Sequence, residues 1–525
     1  MRLGRRFARD KIFPAPESDM FRKILIANRG EIAVRILRAC RELGIKSVAV
    51  FSEVDRKALH VRLANEAYCI GPASSRDSYL RIDKLMDVAR RSGCDAVHPG
   101  YGFLAENPAL PRACVEAGLT FIGPSAEAME ALGSKTAGRQ LARRCDVPTV
   151  PGTKDAIDDP EEARALAQSM GYPVLLKAVA GGGGKGMRVV ASDSEFASAW
   201  RDASSEAANA FGDARVFLEK YLKRPRHIEI QILADAHGRV VSLGERECSV
   251  QRRHQKVIEE APSPIMTPDL RKKMGDAAVR IARAGGYVNA GTVEFLVDGN
   301  LDFYFLEVNT RLQVEHPVTE QVTGLDLVKL QIAIAAGHRL PFAWETITPR
   351  GHAIEVRIYA EDPDNNFFPS PGKIISRQAP SGPGIRLDEG IYEGWTVPND
   401  YDPLLSKLVA WGNSREEAVA RLRRALEEYT TTGIKTNTGL FRRILSEPDF
   451  LKAEIHTCWL DEILRKPAPA SSPLGTNVEN AAAIAAAIFT FQQLQKQSAA
   501  FGQTSAADQS RWKQEGRRRQ LDRDS

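Results

Sequence analysis

Two carboxylates and an amide stand close together in GTVEFLV and FLEVN: Glu294, Glu307 and Asn309. Glu307 and Asn309 are two residues apart, so in a strand both project from one face. Together the three offer hard oxygen ligands, suited to Mg2+ or Mn2+ carrying nucleotide phosphates. The alternative is salt bridging to lysines on a solvated sheet face. Against it, Phe295, Leu296, Phe303, Phe305 and Leu306 flank the acids, so the strands read as buried. A buried acid requires a metal or a base beside it. The next segment, NTRLQVEHP, places Arg311, Gln313 and Glu315 at alternate positions, on one side of an extended chain. Arginine presents a planar fork to a small oxyanion, and a glutamate nearby can act as a base. A further polar run, Gln251-Arg252-Arg253-His254-Gln255-Lys256, is too polar for a core and too dense for a routine surface loop.

The segment GGGGKGM, Gly181–Met187, lies between VLLKA and Arg188–Val190. Glycines in a strand–loop–strand setting let backbone N–H groups close over phosphates, although a glycine-rich hairpin has many uses without a ligand. It is neither a P-loop nor the fingerprint of a dinucleotide site, because GxxxxGK[ST] and a helix-opening GxGxxG are both absent. Lys177 in VLLKA sits in an apolar run and needs a partner, for which phosphate is well suited.

The elements that must position these groups follow from periodicity. Lys23–Ala27 reads as a strand and Asn28–Gly30 as a turn; a helix follows with Ile32, Ile36, Leu37 and Cys40 on one face. Gly44 ends it and Ser47–Phe51 is the next strand, so the βαβ alternation predicts a parallel sheet. Residues 134–337 are richer in strands; several alternate apolar and polar residues, as half-buried antiparallel strands do. A third region, 352–465, mixes strands at His352–Tyr359 and Lys407–Trp411 with a helix at Ser414–Tyr429. After it, KPAPASSPLGT reads as a linker, and the remaining tail is Ala- and Gln-rich, then basic, with a short helix at Ala481–Phe489. Residues 1–19 read as a disordered extension.

Across 525 residues the net charge is only +5, so composition demands neither nucleic acid nor an acidic membrane surface as partner. No apolar run approaches the roughly 20 residues needed to span a bilayer. The 7 cysteines are odd in number and contain no CxxC pair. They read as reduced thiols, and the expected location is cytoplasmic.

The motifs KILIANRGEIAVRI, HPGYGFLAEN, KAVAGGGGKGMRVV, RHIEIQ, QRRHQKVIEEAPSP, GTVEFL and FLEVNTRLQVEHPVTE, in this order, resemble the biotin carboxylase family of the ATP-grasp superfamily. The resemblance covers residues 20–465. It implies a multidomain α/β and α+β fold: a Rossmann-like preATP-grasp domain at 20–133, an ATP-grasp domain at 134–337 with a mobile lid at about 150–222, and a C-terminal domain at 352–465, followed by a linker and tail at 466–525. It implies an ATP-dependent ligase that uses bicarbonate and Mg2+ or Mn2+ to carboxylate N1′ of biotin on a separate carrier protein. Carboxyltransferase subunits and a second copy of the chain are the further partners. Acetyl-CoA carboxylase is the default pathway, with propionyl-CoA, methylcrotonyl-CoA and pyruvate systems as alternatives.

By the same resemblance, Lys135, Lys177, Gly183 and Gly184 hold ATP phosphates. Glu219, Lys220, Tyr221 and Leu222 form the hinge at adenine, and His227 and His254 touch the nucleotide. Glu294, Glu307 and Asn309 hold the metal. Lys256, Arg311, Gln313 and Val314 hold bicarbonate, Glu315 is the base and Arg357 faces biotin. The chain has Ala180 where the glycine run often begins. Other ATP-grasp carboxylate ligases share the glycine loop and metal acids, but are not expected to combine QRRHQK with RLQVEHPVTE. A catalytically dead ATP-binding protein would not need Glu294, Glu307, Asn309, Arg311, Glu315 and Arg357 intact. No AMKM-like biotin attachment hairpin occurs in the sequence.

Overall fold

In a computed structural model the described residues are 20–153, 157–178, 187–211, 215–341, 347, 349–466 and 484–491. Two units result, Met1–Asp461 and Glu462–Ser525. The expected N-terminal extension, the glycine run Gly181–Gly186 and most of the tail lie outside the described residues. Within the second unit, residues 484–491 are helical.

The first unit opens with strands β1 (Lys23–Ile26), β2 (Lys46–Ser52), β3 (Glu66–Gly71), β4 (Ala96–His98) and β5 (Thr120–Phe121). They form a parallel sheet of order β3-β2-β1-β4-β5. Helix α1 (Gly30–Glu42) follows β1; Gly30 and Gly44 at its two ends have φ of +66° and +73°, a region other residues enter only at a cost. Successive side chains of β1 go to opposite faces. Ile24 and Ile26 join α1 in one core, while Leu25 joins Val48, Val97 and Leu104 in another. The reversal of strand order at β1 and β4 is where doubly wound sheets open a crevice. Here Asn28 Nδ2 fills it, donating to the carbonyls of Pro99 (2.7 Å) and Tyr101 (2.8 Å) and so fixing the HPGYG turn.

A small layer with its own core follows. It comprises β6 (Val174–Ala178), β7 (Met187–Val190) and β8 (Val216–Lys220), backed by helices Pro160–Met170 and Asp193–Phe211. These residues lie within the expected lid.

The largest sheet has eight strands. β9 (Arg226–Ala234), β10 (Val240–Arg252), β11 (Gln255–Ala261), β12 (Asn289–Val297), β13 (Phe303–Asn309) and β14 (His352–Tyr359) are ordered β13-β12-β9-β10-β11-β14, continued by Leu404–Gly412 and Ile385–Glu389. One sequence expectation changes here. The strands of β9 and β10 are not half-buried: nearly every residue of both is buried. Helix Pro268–Ala284 packs on one face, while charged groups on the other are covered by their own ion pairs. The regions on either side of residue 352 also share this sheet, because β11 pairs with β14 across them. The core of α1 likewise includes Leu233, Val241, Leu312 and Leu327 from the central region. Gly390 presses so closely on α1 that an added Cβ would lie 2.7 Å from the Glu31 nitrogen.

Candidate active site

β12 and β13 set the first part of the site. Glu294 and Glu307 are cross-strand partners, and Asn309 follows Glu307 on the same face. β9 contributes His227 and Glu229 at alternate positions, paired with Leu296 and Glu294 of β12. The polar run 251–256 is a hairpin rather than a surface loop. Arg252 and Gln255 close it as partners, and Arg253 and His254 turn the chain at φ of +49° and +68°. Both turn residues are non-glycine in the left-handed region, a strain that surrounding structure must hold. The turn carries His254 and leaves Gln251 and Lys256 pointing inward, with Gln251 buried.

These elements enclose a cavity of about 710 Å³. Its lining includes Lys177, Glu219, Lys220, Tyr221, Leu222, His227 and His254. Lys256, Glu294, Glu307, Asn309, Arg311, Gln313, Val314, Glu315 and Arg357 line it as well. The fold thus gathers residues 180 positions apart in sequence. Lys135 opens the helix Lys135–Arg144, but its side chain, like Gly183 and Gly184, lies outside the described residues.

Lys256 is the hub. Its Nζ donates to Glu229 at 2.6 Å, to Glu294 at 2.8 Å and to Glu315 at 2.8 Å. Burial alone would lower its pKa, yet the three carboxylates raise it well above the ordinary lysine value. Glu315 is fully buried, and its second oxygen accepts from Arg357 Nη2 at 2.9 Å. Burial pushes Glu315 upward, but Lys256 and Arg357 outweigh it and hold the carboxyl well below its usual range. Glu315 is therefore ionised at neutral pH, a proton acceptor between two cations. Glu294 is held low in the same way by Lys256 and by His227, whose Nε2 is 2.9 Å away.

Arg311 lies along the adjoining wall. Its Nη1 donates to Gln313 Oε1 at 2.8 Å and its Nε to Glu106 at 2.8 Å. Gln313 and Asn309 donate in turn to Glu294 Oε1. Arg311, Gln313 and Lys256 thus line one cavity, and their side chains are donors of the kind a small oxyanion requires, here engaged with protein acceptors. Glu294, Glu307 and Asn309 line the same cavity, and their oxygens are chemically suited to Mg2+. Lys177, also on the lining, has a protein partner that the sequence does not reveal: Glu219, at 2.5 Å, which also pairs with Arg139. Neutralised by two cations, Glu219 stays ionised despite burial.

Three buried groups that support the site went unassigned in the sequence. Glu229 and Glu259 hold Lys256 and Arg357. Arg246 is fully buried, pairs with Glu229 and donates to Gln231, Thr319 and Thr292. For Glu229 a signal exists: RHIEIQ alternates His227, Glu229 and Gln231 against isoleucines, a polar stripe on one strand face. Removing one partner of such a buried network leaves charge uncompensated. Arg246→Leu is therefore expected to destabilise the fold by about 3–5 kcal/mol, read as a fall in denaturation midpoint. An unchanged midpoint would show that the network carries no net stability.

The sequence matches three family models in order: "Biotin carboxylase, N-terminal domain" at residues 20–129, "Carbamoyl-phosphate synthase L chain, ATP binding domain" at 134–343, and "Biotin carboxylase C-terminal domain" at 355–462. A biotin carboxylase of Halalkalibacterium halodurans is 53% identical over 446 residues, 85% of this chain and 98% of that protein. A pyruvate carboxylase component of Methanothermobacter thermautotrophicus is 54% identical over 446 residues, covering 85% of this chain and 91% of its own. Among solved structures, a Campylobacter jejuni biotin carboxylase complex superposes with a TM-score of 0.81 at 45% identity, over 85% of this chain and 99% of the other. The biotin carboxylase domain dimer of Hydrogenobacter thermophilus 2-oxoglutarate carboxylase, solved with MgADP, ADP and bicarbonate, gives 0.80 at 47% identity, over 86% and 100%.

Proposed function

The chain belongs to the biotin carboxylase family, and from that premise we propose that its cavity binds ATP, Mg2+ and bicarbonate and carboxylates N1′ of biotin borne on a separate carrier protein. The observation that carries the residue assignment is the arrangement around Glu315: an ionised, buried carboxylate held between Lys256 and Arg357, beside the Arg311–Gln313 wall.

Bicarbonate is a poor nucleophile until its remaining proton is removed. Held by Lys256, Arg311, Gln313 and the Val314 backbone, it gives that proton to Glu315. The resulting oxyanion attacks the γ-phosphorus of ATP; the bond to the β-phosphate oxygen breaks, giving ADP and carboxyphosphate. Glu294, Glu307 and Asn309 are the residues suited to hold Mg2+, which supplies charge compensation at the phosphates when bound. Lys177, and Lys135 by resemblance, add positive charge there, and Glu219–Leu222, which line the cavity, are by resemblance the hinge at adenine. Carboxyphosphate breaks to CO2 and phosphate, and the phosphate takes the N1′ proton of biotin. The ureido oxygen then carries negative charge, which Arg357 stabilises, and N1′ attacks CO2.

The relatives' names span pyruvate and methylcrotonoyl-CoA carboxylases as well as biotin carboxylases, which share this first half-reaction. The final acceptor is therefore a property of the carboxyltransferase partner. The carrier and transferase are the partners that this reading supplies, with a homodimer as the assembly. No helix among the described residues is long and apolar enough to cross a membrane. ADP release by the purified chain that depends on bicarbonate and rises with free biotin is the expected result. ADP release indifferent to bicarbonate contradicts the reading.

The metal assignment has its own test. Loss of even an outer-shell partner of a metal costs roughly 10–100-fold, so Glu307→Gln should lower turnover at limiting Mg2+ by at least about 100-fold. Excess Mg2+ should restore part of it, and the denaturation midpoint should hold. Wild-type turnover at low Mg2+ would remove Glu307 from the ligand set.

A further inference from the structure

We propose that Glu259 is a positioning residue for Arg357: it grips the guanidinium from behind, so that Nη2 can pass from Glu315 to the ureido oxygen of biotin without the arginine moving. The inference rests on the role proposed for Arg357 above and deepens it.

Glu259 of β11 and Glu355 of β14 are cross-strand partners, and Arg357 lies two residues beyond Glu355 on the same face. Glu259 and Glu355 are fully buried. Arg357 lines the cavity, and Glu259 does not. Glu259 therefore reaches substrate only through the arginine. Its Oε1 accepts from Arg357 Nε at 2.6 Å and lies 2.6 Å from Nη2, which also donates to Glu315 at 2.9 Å. The main chain beneath is pinned as well: Asn437 Nδ2 donates to the Arg357 carbonyl at 3.0 Å, and its Oδ1 accepts from the Tyr359 nitrogen at 2.9 Å.

Glu355 accepts no hydrogen bond from the guanidinium, although its carboxyl lies near enough to interact with that charge. Both its oxygens are buried without a hydrogen-bond partner among the described residues, the setting of a neutral carboxylic acid. Arg357 is thus held between one carboxyl at its back and one at its front. When bicarbonate's O–H bond breaks and the proton passes to a Glu315 oxygen, Glu315 loses its charge and its hold on Nη2 weakens. Glu259 retains Nε throughout, keeping the guanidinium in place as Nη2 becomes available. Burial raises the Glu259 carboxyl to about 7 against the pull of Arg357; the positioning role requires the oxygen that accepts from Arg357 Nε, which either protonation form can present.

The test compares Glu259→Ala, Glu259→Gln and Arg357→Ser in the full chain, measuring ADP release and carboxybiotin formation from free biotin side by side. A hydrogen bond to a charged group is worth about 10–100-fold, so Glu259→Ala should lower biotin carboxylation by that factor. ATP cleavage should fall less, so the ATP consumed per carboxybiotin rises. Glu259→Gln keeps an acceptor oxygen and should recover most of the coupling. Should Glu259→Ala not fold, Glu259→Asp, which draws the oxygen back, must raise the same ratio. If Arg357→Ser raises the ratio and the Glu259 variants lower both reactions in parallel, the positioning role is overturned while the assignment of Arg357 stands. If Arg357→Ser leaves the ratio unchanged, the assignment of Arg357 fails, and this inference with it.

Discussion

Glu315→Gln should lose bicarbonate-dependent ATP cleavage and biotin carboxylation together, each by about 10²–10⁴-fold, the usual contribution of a positioned base. The amide keeps the shape and an acceptor oxygen but cannot take a proton. Both reactions fall because deprotonation of bicarbonate precedes everything else. The low proton affinity of Glu315 does not conflict with this role. It arises from Lys256 and Arg357 acting against burial. In the proposed arrangement, bicarbonate bound at Lys256 and Arg311 would bring its own negative charge, partly offset that pull, and raise the basicity of Glu315. The competing account is that Glu315 merely ties Lys256 and Arg357 together. That account predicts a lowered denaturation midpoint in Glu315→Gln, and substantial retention of both activities in any variant that stays folded. An unchanged midpoint with both activities lost favours the base.

Arg357→Ser should behave differently. Arg357 lines the cavity, and in the proposed role it acts on charge that develops only once biotin reacts. Removing one such donor costs on the order of 10²–10³ in rate, so carboxybiotin formation should drop by about that factor. ATP cleavage should drop less, because carboxyphosphate can still form and decompose without a competent acceptor. The ATP consumed per carboxybiotin therefore rises. Some loss of ATP cleavage is expected, since Arg357 also holds Glu315 at 2.9 Å. Equal losses in both reactions would place Arg357 in support of Glu315 alone.

Much of this site is legible in the sequence because its residues come in short, dense runs. Glu307 and Asn309 alternate on β13, whereas Arg311, Gln313 and Glu315 lie not on an extended chain, as their spacing suggests, but in the irregular turn between β13 and helix His316–Thr323; both groups line one cavity. Alternation also marks β1, where Ile24 and Ile26 part from Leu25. Groups whose role depends on strands distant in sequence are not legible in the same way. Glu259 and Glu355 acquire meaning only when β11 pairs with β14, across nearly a hundred residues. Glu229 and Arg246 compensate each other inside a sheet, where an isolated charge reads as a solvent-facing residue. The expectation of half-buried strands fails for the same reason: polar residues on β9 and β10 face other polar groups under cover, not water. Lys177 in its apolar run invites a phosphate, while Glu219, forty-two residues on, supplies a carboxylate across the β6–β8 pair.

The account stands most directly on where the carbon of bicarbonate goes. The purified chain, given labelled bicarbonate, ATP, Mg2+ and free biotin, should form acid-labile carboxybiotin. Omitting ATP or Mg2+ should abolish it, and Glu315→Gln should reduce it by about 10²-fold or more. ATP hydrolysis proceeding at full rate with no label entering biotin, with the wild-type chain folded, would contradict it.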